Sequence, residues 1–216
     1  MMDNNQILEE LINKYPQLSS IKNEIRETAE NFISCYQNGR KVLICGNGGS
    51  CSDSDHIVGE LMKGFENKRP IEKSLKAQLM SVAGEHGTYL SERLQQGLPA
   101  ISLTANAALM TAVANDIDAD LIFAQQLVGY GNTGDILLGI STSGNAQNVM
   151  YAAITAKAKG MIVIGLTGET GGKLKSYCDI LINVPESRTA YVQELQLPVY
   201  HAICLMVENY FFGNNK

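Results

Sequence analysis

The chain has 216 residues, 45% of them hydrophobic and 18% charged, a composition that excludes intrinsic disorder and suffices for one domain with a sizeable core. Its net charge of −5 excludes bulk electrostatic affinity for nucleic acid or an anionic membrane, both of which need a basic face. No apolar run approaches the roughly 20 residues of a membrane span, and the start MMDNNQILEELINKYPQL is too polar and acidic for a signal peptide, so a cytoplasmic protein is expected. The five cysteines (Cys35, Cys45, Cys51, Cys178, Cys204) are odd in number and lack CxxC spacing, which predicts reduced thiols, mostly in the core.

In chain order, apolar residues from Leu8 to Tyr36 recur at helical spacing and are interrupted by Tyr15-Pro16, predicting two N-terminal helices. Five short apolar runs then alternate with helix-length segments: KVLICG (41–46), AISLTA (100–105), DILLGIS (135–141), MIVIGLTG (161–168) and DILINVP (179–185). Buried strands alternating with helices predict a parallel, doubly wound α/β sheet. Residues 66–99 interrupt this alternation. They are too long for an ordinary connection, hold an expected helix over 72–82, and read as an insertion over the site that acts as a lid. The segment from about Arg188 to Phe212 reads as a long final helix.

In sheets of this type ligands bind beyond the carboxyl ends of the strands, which directs attention to two loops. GNGGS follows the first strand. Its glycines 46, 48 and 49 let the backbone approach an anion at the start of a helix, or simply make a tight turn. GISTSGNAQNV follows the third strand, where Ser141, Thr142 and Ser143 form a hydroxyl cluster suited to a phosphate monoester, with Ser143 or Asn145 as a helix cap in the plainer reading. His56 and Glu60 stand four apart and share a helix face, a spacing that serves a divalent ion, an acid–base pair or a surface contact. Gln193 and His201 are eight apart, off a shared face of a straight helix, and Pro198 between them is expected to bend it. Asp116 follows the second strand and its helix and is either a ligand contact or a turn residue. His86 reads as an exposed loop residue, and Cys51, at a helix start, as a thiol open to oxidation.

Through GNGGS, HIVGEL, the Asn115-Asp116 pair, GDILLGISTSGNAQNV, LTGETGGKL and VQELQLPVYH, the chain resembles the sugar isomerase (SIS) domain family and, within it, the phosphoheptose isomerases. The resemblance covers nearly all of the chain outside the insertion, here bounded at 71–99. It implies a single SIS domain over 1–216, a three-layer sandwich on a five-stranded parallel, flavodoxin-like sheet, with helices in 1–38 that join subunits of a homotetramer. It also implies conversion of sedoheptulose 7-phosphate to D-glycero-D-manno-heptose 7-phosphate through an enediol, a step toward heptose nucleotides and surface glycans such as lipopolysaccharide. Substrate contacts are implied from Asn47, Gly48, Gly49, Ser50, Glu60, Asn115, Asp116, Ser141, Thr142, Ser143 and Gln193. Glu60 and His201 are implied as the catalytic pair, and His56, Glu60, Gln193 and His201 as ligands of one zinc ion per subunit. Ala146 departs from the family in standing where a further phosphate-binding serine is usual. Two alternatives stay open: an isomerase of another phosphosugar, and a non-catalytic SIS regulator that binds a phosphosugar or a protein. That two of the chain's three histidines fall on the family's functional positions favours the enzyme.

Overall fold

A computed structural model describes residues 4–213, leaving the outermost three residues at each end of the expected 1–216 unit outside the described residues. The chain opens with α1 (Asn4–Lys14), a 3₁₀ turn at Pro16–Ile21 and α2 (Lys22–Gln37), then enters the sheet as β1 (Val42–Gly46) followed by α3 (Gly49–Met62). Next come α4 (Lys73–Arg93), β2 (Ala100–Ser102), α5 (Ala107–Asp116) and α6 (Ala124–Tyr130). The alternation then becomes regular: β3 (Ile136–Ser141), α7 (Gln147–Ala158), β4 (Ile162–Thr167), β5 (Ile180–Asn183) and α8 (Thr189–Phe212). All five expected strands are present. Their pairings are all parallel and their order is β2-β1-β3-β4-β5, the flavodoxin-like order, which reverses between β1 and β3.

Every residue of β1 and β3 is buried, as expected of parallel strands covered on both faces. Val42, Ile44, Ile136, Leu138, Ile164 and Leu166 project to one face, where they meet α1, α2, α3 and α8. Leu43, Cys45, Leu137 and Val163 project to the other, against Leu127 of α6 and Val149, Ala152 and Ala156 of α7. Removing this apolar surface from water is the main stabilising term, roughly 25 cal/mol per Å² buried. Cys35, Cys45 and Cys204 lie in the core, and burial pushes each thiol up to about 12. Among the described residues no helix is long and apolar enough to cross a membrane.

The 66–99 excursion is closed at its base, where Pro70 bridges Gln95 and Gln96 N–H donates to the Arg69 carbonyl at 2.7 Å. The first stretch of α4 is the helix expected over 72–82, and the element runs on to Arg93. It is interrupted at Ala83 and Gly84, whose non-helical torsions fold the second half back so that Gly87 lies against the backbone of Leu79. Gly84, at φ +51, ends the first stretch as a helix-terminating glycine does. Along α4 only Gly87 and Ser91 are buried, and Met80, Val82 and Tyr89 are half or more exposed.

An ion pair anchors the excursion. Glu208 of α8 and Arg69 are buried together, with Nη2 of Arg69 2.8 Å from Oε1 of Glu208. The carboxylate also accepts backbone N–H bonds from Phe65, Glu66 and Asn67 at 2.7–3.0 Å. Arg69 in turn donates to the carbonyls of Leu61 and Glu60 at 2.6 and 3.0 Å, completing the C-terminal end of α3.

Candidate functional site at the sheet switch point

The two loops read from the sequence flank the reversal of strand order. After β1, Gly48 adopts φ +56, a left-handed turn that glycine enters without steric cost, and α3 begins at once. After β3, Gly144 at φ +65 lies against the backbone of Gly171 and Gly172, leaving no room for a Cβ. The loops are tied across the gap by a reciprocal amide pair, Asn47 Nδ2 to Asn148 Oδ1 at 2.8 Å and Asn148 Nδ2 to Asn47 Oδ1 at 3.0 Å. Neither α3 nor α7 starts with a side-chain cap, so both present backbone N–H groups and a positive dipole end.

Within the second loop the hydroxyl residues differ in setting. Ser141 is buried, Thr142 half-buried and Ser143 exposed. The Ser143 Oγ accepts from Asn145 N–H at 3.2 Å, holding the turn. Asn145 does not cap α7, which starts after Ala146; its Oδ1 accepts from Lys173 N–H at 3.1 Å and ties the β3 loop to the loop after β4. Ala146 packs on the core, consistent with its apolar identity.

Behind the glycine loop, α3 and α8 meet and bring together residues far apart in sequence. Gln193 lies directly over Gly49, where a Cβ would collide with its Nε2. His56 Nε2 is 3.3 Å from Glu60 Oε1, and Lys63 Nζ is 3.1 Å from Glu60 Oε2. The His56 and His201 rings are 5.0 Å apart, and Phe65 closes the other side of His201 at 5.3 Å. Helix α8 runs through Pro198 as one helix from Thr189 to Phe212, and Gln193 and His201 reach different parts of the site, glycine loop and histidine cluster respectively. Asn115 and Asp116 sit apart at the exposed end of α5, where Asn115 Nδ2 donates to Asp116 Oδ1 at 2.7 Å. His86 is exposed on α4.

Electrostatics favours a neutral imidazole at position 201. Burial lowers the affinity of His201 for a proton, the neighbouring His56 lowers it further, and Glu60 opposes them without reversing the direction. Its Nε2 is buried without a hydrogen-bond partner. The cluster extends behind His56 to two residues not singled out in the sequence. Tyr200 OH donates to Asp53 Oδ1 at 3.1 Å and lies 3.1 Å from His56 Nδ1. Burial raises Asp53 above the ordinary aspartate value against the opposing effects of Tyr200 and His56, and raises the Tyr200 phenol as well. Asp53 lies three residues from His56, a helical neighbour visible in principle; Tyr200 offered no signal beyond adjacency to His201.

The donor chemistry suits a borderline divalent ion such as zinc, which takes imidazole and carboxylate. Two donors about 2.0–2.1 Å from one tetrahedral ion lie roughly 3.3–3.4 Å apart, the spacing of His56 Nε2 and Glu60 Oε1, and the unpartnered His201 Nε2 is a third donor nearby. Among the described residues, however, no three His, Cys, Asp or Glu side chains are already arranged as a closed metal site. The fit is therefore one of donor type and of one pair's spacing, with the set still open.

A cavity of about 580 Å³ lies between α1 and α8 and has His201 in its lining. Leu11, Tyr15, Leu197, Pro198 and Leu205 line it, and it does not reach the glycine or hydroxyl loops.

Comparison with known proteins agrees with this architecture. The SIS domain model matches residues 8–96 and 76–168. A phosphoheptose isomerase of Aneurinibacillus thermoaerophilus is 38% identical over 190 residues, 88% of this chain and 83% of that one. Among solved structures, a phosphoheptose isomerase from Francisella tularensis superposes with a TM-score of 0.73 at 32% identity, covering 95% of this chain and 96% of that chain. One from Neisseria gonorrhoeae gives 0.71 at 33%, covering 92% and 94%. With its switch-point loops, sheet order and relatives in agreement, the chain belongs to the SIS domain family and, within it, to the phosphoheptose isomerases.

Proposed function

We propose that the protein interconverts sedoheptulose 7-phosphate and D-glycero-D-manno-heptose 7-phosphate. The observation that carries this reading is the placement of Glu60 and a neutral His201 around His56 on α3, the helix that starts at the switch-point glycine loop. The phosphate is bound at the loops by Ser141, Thr142, Ser143 and the backbone of Asn47 to Ser50, with Gln193 over Gly49 orienting the sugar. Glu60 removes the proton at C1 of the ketose, and the proton is returned at C2. His201, being neutral, accepts and returns hydrogen at the two oxygens as the enediol forms and collapses. His56, Glu60 and His201 would hold zinc, one ion per subunit, which when bound would polarise the substrate carbonyl; Gln193, the fourth ligand implied by the resemblance, lies over Gly49 instead. A carboxylate engaged by a metal is a weaker base, so the two duties of Glu60 compete. Asn115 and Asp116 are assigned substrate contacts from the exposed end of α5.

The test is an NMR time course with sedoheptulose 7-phosphate and the zinc-loaded protein in deuterated water. Aldose product with deuterium at C2 is the expected result. Absence of both conversion and exchange, in a folded protein that binds the sugar phosphate, overturns the assignment and leaves another phosphosugar or a regulatory role.

The subunits are proposed to form a homotetramer. Support comes from apolar side chains without cover on α4, Val82 being 84% exposed, and from the cavity along α1 and α8. We assign the 71–99 excursion the lid role expected from the sequence, over a site near the proposed subunit boundary. Light scattering should give the tetramer mass; a stable monomer at micromolar concentration would refute the assembly.

A further inference from the structure

His56 has a neighbour on the side away from Glu60 that the proposed chemistry does not use. Tyr200 is 1% exposed, and its hydroxyl lies 3.1 Å from Asp53 Oδ1 and 3.1 Å from His56 Nδ1. Few protons are available in this chain of groups. A carboxylate only accepts, and a phenol has one hydrogen to give. Once Tyr200 gives that hydrogen to Asp53, its oxygen meets His56 with a lone pair, so Nδ1 must carry the hydrogen. A neutral imidazole so held turns an unprotonated Nε2 toward Glu60 Oε1, 3.3 Å away. Two lone pairs at that separation repel unless a cation lies between them.

We propose that Tyr200, backed by Asp53, is a positioning residue that holds His56 as its Nδ1–H tautomer and so presents Nε2, beside Glu60, as a preformed donor to a divalent metal. The inference rests on the zinc reading for its ligand, while the tautomer itself does not. Outer hydrogen-bond partners commonly fix a metal-binding imidazole by holding its other nitrogen. Here a buried phenol stands between carboxylate and imidazole. The rings add orientation to the proton count: Tyr200 meets His56 edge-on at 5.6 Å and His201 at 5.0 Å, so one side chain braces both histidines. Its position next to His201 on α8 makes this possible, since consecutive helical residues diverge by about 100° and Tyr200 reaches behind the ring that His201 faces.

The test uses the full-length, metal-free, ¹⁵N-labelled protein at pH 8 and long-range proton–nitrogen correlation of the imidazoles. The three histidines are assigned with His86→Gln and His201→Gln. The expected spectrum shows His56 with a protonated Nδ1 and a pyridine-like Nε2 whose resonance moves on adding Zn²⁺. In Tyr200→Phe, which keeps the ring and removes the hydroxyl, the single tautomer should give way to a mixture. Its Zn²⁺ affinity, measured against a competing chelator, should fall about 10–100-fold. An Nε2–H tautomer or an imidazolium in the wild-type protein overturns the proposal, and that spectrum decides the matter even should Tyr200→Phe not fold. A folded Tyr200→Phe with unchanged tautomer and unchanged Zn²⁺ affinity overturns it equally. A wild-type Nδ1–H tautomer with no response to Zn²⁺ would overturn the metal half and the zinc reading together, and leave the tautomer assignment standing.

Discussion

Glu60→Gln is expected to lower kcat by at least about a thousandfold while leaving the fold intact. The size of the effect follows from losing a general base, typically worth 10²–10⁴, together with weakening a donor of the proposed zinc set. The fold should tolerate the change because the amide is nearly isosteric with the carboxylate, the side chain is only 12% exposed but faces Lys63 and His56 rather than the core, and α3 keeps its buried face through Ile57 and Leu61. Steady-state kinetics alongside thermal unfolding separates the two quantities. Activity within tenfold of wild type would sink the role of Glu60 in proton transfer. Unfolding of the variant would instead assign the residue to the structure.

Glu208→Ala should be the most destabilising single change considered, costing about 3–5 kcal/mol, because it leaves the Arg69 guanidinium buried and unpaired. It also strips acceptors from the N–H groups of Phe65, Glu66 and Asn67. Urea unfolding at fixed protein concentration measures the loss, and a value below about 1 kcal/mol would contradict the arrangement. Arg69→Met combined with Glu208→Ala should be less damaging than Glu208→Ala alone, since no charge is then stranded. The pair also bears on the site: Arg69 holds the carbonyls of Glu60 and Leu61, so its loss should lower kcat by loosening the end of the helix that carries Glu60.

The same carboxylate confers a pH dependence. Burial by itself would raise the Glu208 pKa, but the three backbone N–H bonds and Arg69 outweigh it and hold the group below the ordinary glutamate value of 4.5. A group depressed on folding binds more protons in the unfolded chain. Its stabilisation is therefore present above about pH 4.5 and is lost as pH falls through the lower folded value. Stability of the wild-type protein should decline on acidification below about pH 4.5, and Glu208→Gln should flatten that decline. An unchanged acid limb in the variant would remove Glu208 as its source.

The sequence by itself determined the α/β class, the five strands and the two loops at their carboxyl ends. Each depends on short-range rules: KVLICG and DILLGIS are apolar on both faces because parallel strands are covered on both, and Gly48 and Gly144 stand where the backbone turns left-handed. The pairing of His56 with Glu60 was legible for the same reason, since four residues make one helical turn. Tertiary structure alone decided which distant groups meet. Asn47 bonds Asn148, 101 residues away, and Arg69 meets Glu208, 139 residues away. Tyr200 reaches His56 across 144 residues. Nothing in the sequence singles out Arg69 or Glu208, because burial and partner choice follow from how helices pack across the sheet and leave no local pattern. At Gly84 the local stop signal held and ended the first stretch of α4; tertiary structure decided the second stretch, which folds back so that Gly87 settles against Leu79.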